Sequence, residues 1–169
     1  MQKVTPFIWF ENDAEEAMDF YVATFPNSKI HSIERYAGDQ GIPGEAELKG
    51  KVLHGIFEVY GLKVMCLDGG PVFKPGGNIS LLVEFDTQEE IDAVWDKLVD
   101  GGTPQQCGWI VDKYGTTWQI TPKAFGEMMS DPNATSQQKQ ALMAAMLPMV
   151  KLDLPKLKAA FEGTNKANK

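Results

Sequence analysis

The chain has 169 residues, 43% hydrophobic and 23% charged, a globular composition long enough for a sizeable core. Its net charge is -7, and Arg35 is the only arginine; nucleic-acid binding rests on clustered Lys and Arg, so nucleic acid is not expected as a partner. No apolar run reaches the ~20 residues a membrane-spanning helix needs, which argues against a membrane partner.

The opening MQKVTPFIWFENDAEEA runs into acidic residues rather than an apolar signal core, giving the expectation of a cytoplasmic protein. Within it, Val4 to Phe10 is an apolar, aromatic run of strand length. NDAEEAMDFYVATF then reads as a helix. Asn12 or Asp13 can cap it, acids fill its first turn, and Ala17, Phe20, Tyr21 and Thr24/Phe25 recur at helical spacing. Pro26-Asn27 stops it. SKIHSIERYA reads as a strand, GDQGIPGEAELKG as a polar loop, and KVLHGIFEVYG and LKVMCLDGG as two strands joined by a tight turn at Gly61. Asp68-Gly69-Gly70-Pro71 is most simply a turn.

After PVFKPGG comes a further strand, NISLLVEFD, and then a helix with clear signals. Thr87 is its cap with Glu90 three residues on, Ile91, Val94, Trp95 and Leu98 form its buried stripe, and Gly101-Gly102 ends it. QQCGWIVDKYG and TTWQITP read as a hairpin turning near Tyr114-Gly115. From Lys123 onward, three helical stretches are broken by Pro132, Pro148 and Pro155. The apolar ALMAAMLPMV among them needs a cover, either the chain's own domain or a dimer partner.

The chain repeats itself. TPFIWFENDAEEAMDFY from Thr5 aligns without gaps on ISLLVEFDTQEEIDAVW from Ile79, an offset of 74 residues. GLKVMCL from Gly61 aligns on GTTWQIT from Gly115, an offset of 54. Each half therefore reads strand, helix, then a set of strands.

Cys66 and Cys107 are the only cysteines and neither lies in a C-x-x-C pair, so a thioredoxin-like motif and a cysteine zinc site are absent. Their simplest role is that of small buried hydrophobes; a reactive thiol at Cys107, just ahead of Gly108 and Trp109, is the alternative. Alternation along KVLHGIFEVYG sets His54 and Glu58 on one face and Leu53, Phe57 and Val59 on the other. Four residues of strand separate the two by about 13 Å, too far for a direct pair. His54 is a candidate general base near neutral pH, or simply a histidine hydrogen-bonded on a strand face. His31 reads as a surface residue. Trp9, Trp109 and Trp118 could wall an aromatic pocket or sit in the core, and Trp109 is the candidate ligand contact because Gly108 permits close backbone approach. No glycine cluster forms the strand-to-helix G-x-G-x-x-G of a dinucleotide site.

The stretches TPFIWFENDAEEAMDFYVATFPNSKI, LDGGPVF and CGWIVDKYGTTWQITP, followed by FGEMMSDP, resemble the PhnB-like branch of the vicinal-oxygen-chelate (glyoxalase/bleomycin-resistance/dioxygenase) superfamily, often labelled 3-demethylubiquinone 3-methyltransferase. The resemblance implies an α+β fold. In it, two tandem βαβββ modules, 4–70 and 79–122, build one domain over 1–122 whose curved mixed sheets enclose a pocket, in a homodimer. Residues 123–169 form a helical extension with disordered last residues.

The superfamily's divalent metal is held by residues from the first and last strands of each module, typically His, Gln and Glu. Counting back from Phe20-Tyr21 places the first of those positions at Pro6, and the offset of 74 places its counterpart at Ser80; on the final strands the family's glutamate falls at Gln119, and the offset of 54 puts its mate at Met65. Such residues cannot hold the ion, since proline has no donor, methionine is soft, and only Gln119 offers a neutral oxygen. The expectation is therefore no metal and no cofactor. The catalytic candidates are His54 and Gln119, and the ligand-binding candidates are Ser80, Trp109, Glu58 and Cys107.

Three readings follow. The first is metal-free binding of a small apolar or aromatic molecule. The second is a metal-dependent lyase/isomerase or dioxygenase-like enzyme using His54 and Gln119. The third is a dimeric interaction module. The methyltransferase label is disfavoured, because the Gly-rich turn and crossover helices of the common S-adenosylmethionine fold are missing.

Overall fold

The computed structural model describes residues 2–39, 41–44, 46–73 and 76–166. The expected disorder of the last residues, 167–169, and parts of the loops expected at 38–50 and 71–77 lie outside them. The chain divides into two compact units, Met1–Pro75 and Gly76–Lys169. The fold is α+β, with two open, curved, four-stranded mixed sheets and five α-helices among the described residues.

In the first unit, β1 (Phe7–Phe10), α1 (Ala14–Thr24), β2 (Lys29–Arg35), β3 (Val52–Val59) and β4 (Leu62–Asp68) give the sheet order β1-β4-β3-β2. Only β1 and β4 pair in parallel. The strand expected from Val4 begins at Phe7, after Pro6, which has no N–H for a ladder. The β3–β4 turn forms at Tyr60 and Gly61, both with positive φ (47° and 86°), the conformation that suits a two-residue hairpin loop. Helix α1 buries Ala14, Ala17, Met18 and Tyr21, and Tyr21 stacks on Phe57 with ring centroids 6.1 Å apart. Each such fully buried large side chain stabilises the unit by roughly 1.5–3 kcal/mol.

The cap of α1 differs from expectation. Asp13 stands at the cap position but its side chain makes no capping bond. The buried Asp68 supplies it instead: Oδ1 accepts from the Ala14 N–H at 2.8 Å and Oδ2 from the Val52 N–H at 2.9 Å. Asp68 is thus the end of β4 and the fastener of two other elements, rather than the first residue of a turn.

In the second unit, β5 (Leu81–Phe85), α2 (Gln88–Val99), β6 (Thr103–Pro104), a 3-10 turn at Gln106–Gly108, β7 (Trp109–Val111) and β8 (Thr117–Pro122) repeat the βαβββ plan, with sheet order β5-β8-β7-β6. Thr87 and Glu90 form the expected capping box, and Ile91, Val94, Trp95 and Leu98 are the buried stripe. They lie over a sheet face that buries Val83, Phe85, Ile110, Trp118 and Ile120. The β7–β8 turn is closed by the buried Asp112, which accepts from the Tyr114 and Thr116 N–H groups and from Trp118 Nε1 at 2.7 Å. β6, two residues long and ending in Pro104, has too little pattern to be read from sequence.

The same unit continues into α3 (Lys123–Ser130), α4 (Ser136–Met146) and α5 (Leu154–Lys166). Pro155 does not break the third stretch. It sits in the first turn of α5, where a missing N–H costs no helical bond. Leu142, Leu152 and Leu157 form a buried cluster packed with Phe125, Met128, Met146 and Phe161, so this part of the Met-rich tail is covered by its own unit. Leu147 and Val150 remain exposed.

Candidate functional site

Each sheet carries a helix on one face, so strand alternation gives it a second, open face. In the first unit, parallel partners Phe7 and Met65 share the open face, while Cys66, the partner of Ile8, is fully buried beneath α1. On β3, Gly55, Phe57 and Val59 are buried and His54, Ile56 and Glu58 alternate with them, half-buried. The rings of Phe7 and His54 lie 6.3 Å apart, and Phe7 remains 50% exposed. Glu58 meets His31 at 3.3 Å and Lys29 at 3.9 Å; His31 is exposed, as expected, and partners that carboxylate. Trp9 closes one end of this face. Its Nε1 donates to the Gly70 carbonyl at 2.9 Å and its ring meets Phe73 edge-on at 5.0 Å. The ring also lies against Gly69, where a Cβ would fall 2.1 Å from it.

In the second unit, the open face carries Ser80, Leu82, Gln119 and Trp109. Leu82 is the parallel partner of Gln119, and Trp109 the antiparallel partner of Gln119 on its other side. Gln119 Nε2 donates to the Ser80 hydroxyl at 2.7 Å. Leu82 is 55% exposed and Trp109 half-buried. An amide–hydroxyl pair therefore lies between an exposed leucine and an indole, which suits a ligand with a large apolar surface and one or two polar atoms. Trp118 faces the other way and is part of the core.

The structure does not bring Cys107 to this face. Its Sγ lies 4.0 Å from the Met146 carbonyl and 3.9 Å from that of Leu147, in the tail. The close approach that Gly108 permits is likewise made within the chain: a Cβ there would lie 2.6 Å from the Ile120 carbonyl and 3.2 Å from Leu152. Cys66 is fully buried, and burial, and secondarily the Asp68 charge, pushes its thiol up to about 12. The buried carboxylates Asp68 and Asp112 were not among the candidate residues; both are spent on backbone and indole N–H groups, which makes them structural.

The register also bears on the metal positions that the resemblance implies. Phe7 pairs with Met65 and Leu82 with Gln119, so between strands β1 and β5 the offset is 75 (7 to 82), one more than between the helices. The strand counterpart of Ser80 is therefore Thr5, not Pro6. In the first unit Thr5 and Met65 supply a hydroxyl and a thioether, and in the second Ser80 and Gln119 supply a hydroxyl and an amide. Divalent metals such as Mg, Mn, Fe or Zn call for imidazole or carboxylate, so neither pair fits one. Among the described residues, no group of three or more His, Cys, Asp or Glu side chains is placed to hold a metal ion.

The βαβββ plan of each unit, with its parallel β1·β4 or β5·β8 edge, is the one expected of the vicinal-oxygen-chelate superfamily, to which this chain belongs. Within it, the chain belongs to the PhnB-like 3-demethylubiquinone-9 3-methyltransferase family, which it matches over residues 2–121. It is similar to a PhnB protein of Bacillus cereus, described as a 3-demethylubiquinone-9 3-methyltransferase. Identity is 40% over 72% of this chain and 99% of that one, with a TM-score of 0.64. Protein PA1353 of Pseudomonas aeruginosa shares the fold at 20% identity, over 72% of this chain and 98% of that one, with a TM-score of 0.60. So does the fosfomycin resistance protein FosX of Listeria monocytogenes, in a structure of a mutant complexed with Mn(II) and a dihydroxypropylphosphonic acid. Its identity is 13% over 71% and 92% of the two chains, with a TM-score of 0.50. No curated protein matches the chain.

Proposed function

We propose that this protein binds a small, largely apolar or aromatic molecule on an open sheet face without the help of a metal. The observation that carries the reading is the Ser80–Gln119 hydrogen bond, with exposed Leu82 and half-buried Trp109 beside it. The pair orients a polar atom and the indole supplies stacking surface. On the other sheet, Phe7, Ile56 and Met65 offer a comparable apolar surface, with His54 and Glu58 at its polar margin. Methyl transfer is not part of this reading. Each sheet has a single parallel strand pair, unlike the doubly wound sheet of common S-adenosylmethionine enzymes. The active species is a homodimer, a reading supported by the exposed Leu147 and Val150 on the tail.

Metal analysis of the purified, untagged protein, with calorimetric titration of Mg, Mn, Fe(II), Ni and Zn, tests the reading together with a thermal-shift screen of aromatic compounds. The expected result is no stoichiometric metal, no tight metal binding, and stabilisation by apolar aromatics that is lost in Trp109→Ala. Near-stoichiometric metal, or tight binding abolished by His54→Ala, would overturn it in favour of a metal-dependent lyase/isomerase or dioxygenase-like enzyme. Sedimentation at micromolar concentration decides the dimer: a monomer there removes it.

A further inference from the structure

The family match ends at residue 121, so α3, α4 and α5 lie beyond it. The segment between α4 and α5 is hydrogen-bonded to two other stretches of its own unit. The Met149 carbonyl accepts from the Cys107 N–H at 2.7 Å, and the Val150 carbonyl from the Gly108 N–H at 2.8 Å. Lys151 Nζ lies 2.8 Å from Asp92 and 3.6 Å from Asp96 on α2. Gln88, the first residue of α2, offers both ends of its amide: Nε2 donates to the Leu152 carbonyl at 3.2 Å and Oε1 accepts from the Leu154 N–H at 2.7 Å. It acts toward the segment as a neighbouring strand would.

What the segment holds is unusual backbone. Cys107 and Gly108 are consecutive residues of positive φ, 60° and 81°. A side chain in the left-handed region persists where its surroundings over-determine it. Here those surroundings are the two tail carbonyls facing the two amides, with Leu152 and the Ile120 carbonyl closing the space behind Gly108. Trp109 follows directly, in extended conformation, and its own carbonyl accepts from the Gln105 N–H at 2.8 Å. The φ angles at 107 and 108 therefore set how the chain enters β7, at whose first residue Trp109 pairs with Gln119. A groove of about 490 Å³ runs beside the segment, but its Lys151, Lys156, Asp92 and Asp153 side chains are paired with one another, so it is a seam of this contact.

We propose that residues 149–154 are a positioning strap, anchored by Gln88, that sets Trp109 on the open face of the second sheet. Its consequence for ligand binding rests on the function proposed above; its effect on the placement of Trp109 does not. Gln88 is a positioning residue that acts through the strap on Trp109.

The test compares the full chain with Gln88→Ala, Trp109→Ala and Val94→Ala, a cavity in the same helix away from the strap. Amide exchange at Cys107 and Gly108, the Trp109 indole N–H resonance, and binding of the aromatic probe 8-anilinonaphthalene-1-sulfonate are followed. Gln88→Ala is expected to speed exchange at both amides about tenfold, to shift the Trp109 resonance, and to weaken probe binding, while Val94→Ala leaves that resonance in place. An unmoved Trp109 resonance in Gln88→Ala, or an equal shift in Val94→Ala, overturns the strap. A shifted resonance with probe binding insensitive to Trp109→Ala supports the strap and sinks the binding reading. Probe binding lost in Trp109→Ala, with Gln88→Ala silent in every readout, does the reverse.

Discussion

Gln119 donates from Nε2 to the Ser80 hydroxyl at 2.7 Å, tying the middle of the last strand of the second sheet to the residue that precedes its first strand. The amide and the hydroxyl satisfy each other without charge, on a face whose neighbours Leu82 and Trp109 are apolar. Removing either partner leaves the other half-buried and short of one bond. Ser80→Ala and Gln119→Leu should each lower stability by about 0.5–1.5 kcal/mol, and the double variant should cost less than the two together. Urea unfolding of the four proteins in this cycle checks it; strict additivity would show that the bond contributes nothing.

Asp68 fastens three stretches of the first unit, because its two oxygens hold the Ala14 and Val52 N–H groups and its carbonyl accepts from the Tyr36 hydroxyl at 3.0 Å. Asparagine matches its shape but presents a donor where one of these N–H groups needs an acceptor. Asp68→Asn is expected to cost about 2–3 kcal/mol, the penalty of an unsatisfied buried bond. The helix start at Ala14 should exchange its amide protons faster than the end of the helix. An equilibrium stability equal to that of the parent would remove Asp68 from this role.

What was legible in the sequence was local, and what was missed was distant. Helix α2 carried its cap, its stripe and its stop within a few consecutive residues, and each is found where expected. The cap of α1 was misassigned because its true acceptor, Asp68, lies 54 residues away. Ser80 follows from the offset of 74 and Gln119 from the family's glutamate, but the hydrogen bond between them has no signal in the sequence. The helix offset of 74 pairs Pro6 with Ser80, whereas strands β1 and β5 align at 75, so the strand counterpart of Ser80 is Thr5, and a one-residue slip exchanges the two faces of a strand. Cys107 beside Gly108 looked like a ligand approach, but the group that comes close is the chain's own tail, some 40 residues on.

Gly69 is needed for space. The ring of Trp9 lies where its Cβ would be, at 2.1 Å, and the indole is held there by its bond to the Gly70 carbonyl. Gly69→Ala must push the ring away, breaking that bond and the edge-on contact with Phe73. The expected loss is about 1–3 kcal/mol, the usual range for overpacking. A changed Trp emission maximum should accompany it. Trp9→Ala combined with Gly69→Ala should recover much of the second penalty, and failure to do so would show that the strain lies in the backbone.

Cys66 makes the first unit sensitive to alkali. Burial raises its thiol to about 12, whereas in the unfolded chain it titrates near the ordinary value of about 8.5. The folded state therefore keeps a proton that the unfolded state releases. The contribution is fully present below about pH 8.5 and is lost as the pH climbs toward the folded value, by about 2 kcal/mol at pH 10. Between pH 8 and 10 the parent should lose stability more steeply than Cys66→Ala, in which this linkage is gone, although the variant starts lower because it leaves a cavity under α1. Urea midpoints measured for both proteins across that range decide the matter: parallel curves would mean that the thiol does not couple to folding. Alkylation gives a second reading. At pH 8 the Cys66 thiol should be labelled only as fast as the protein unfolds, and rapid labelling of the native chain would contradict its burial.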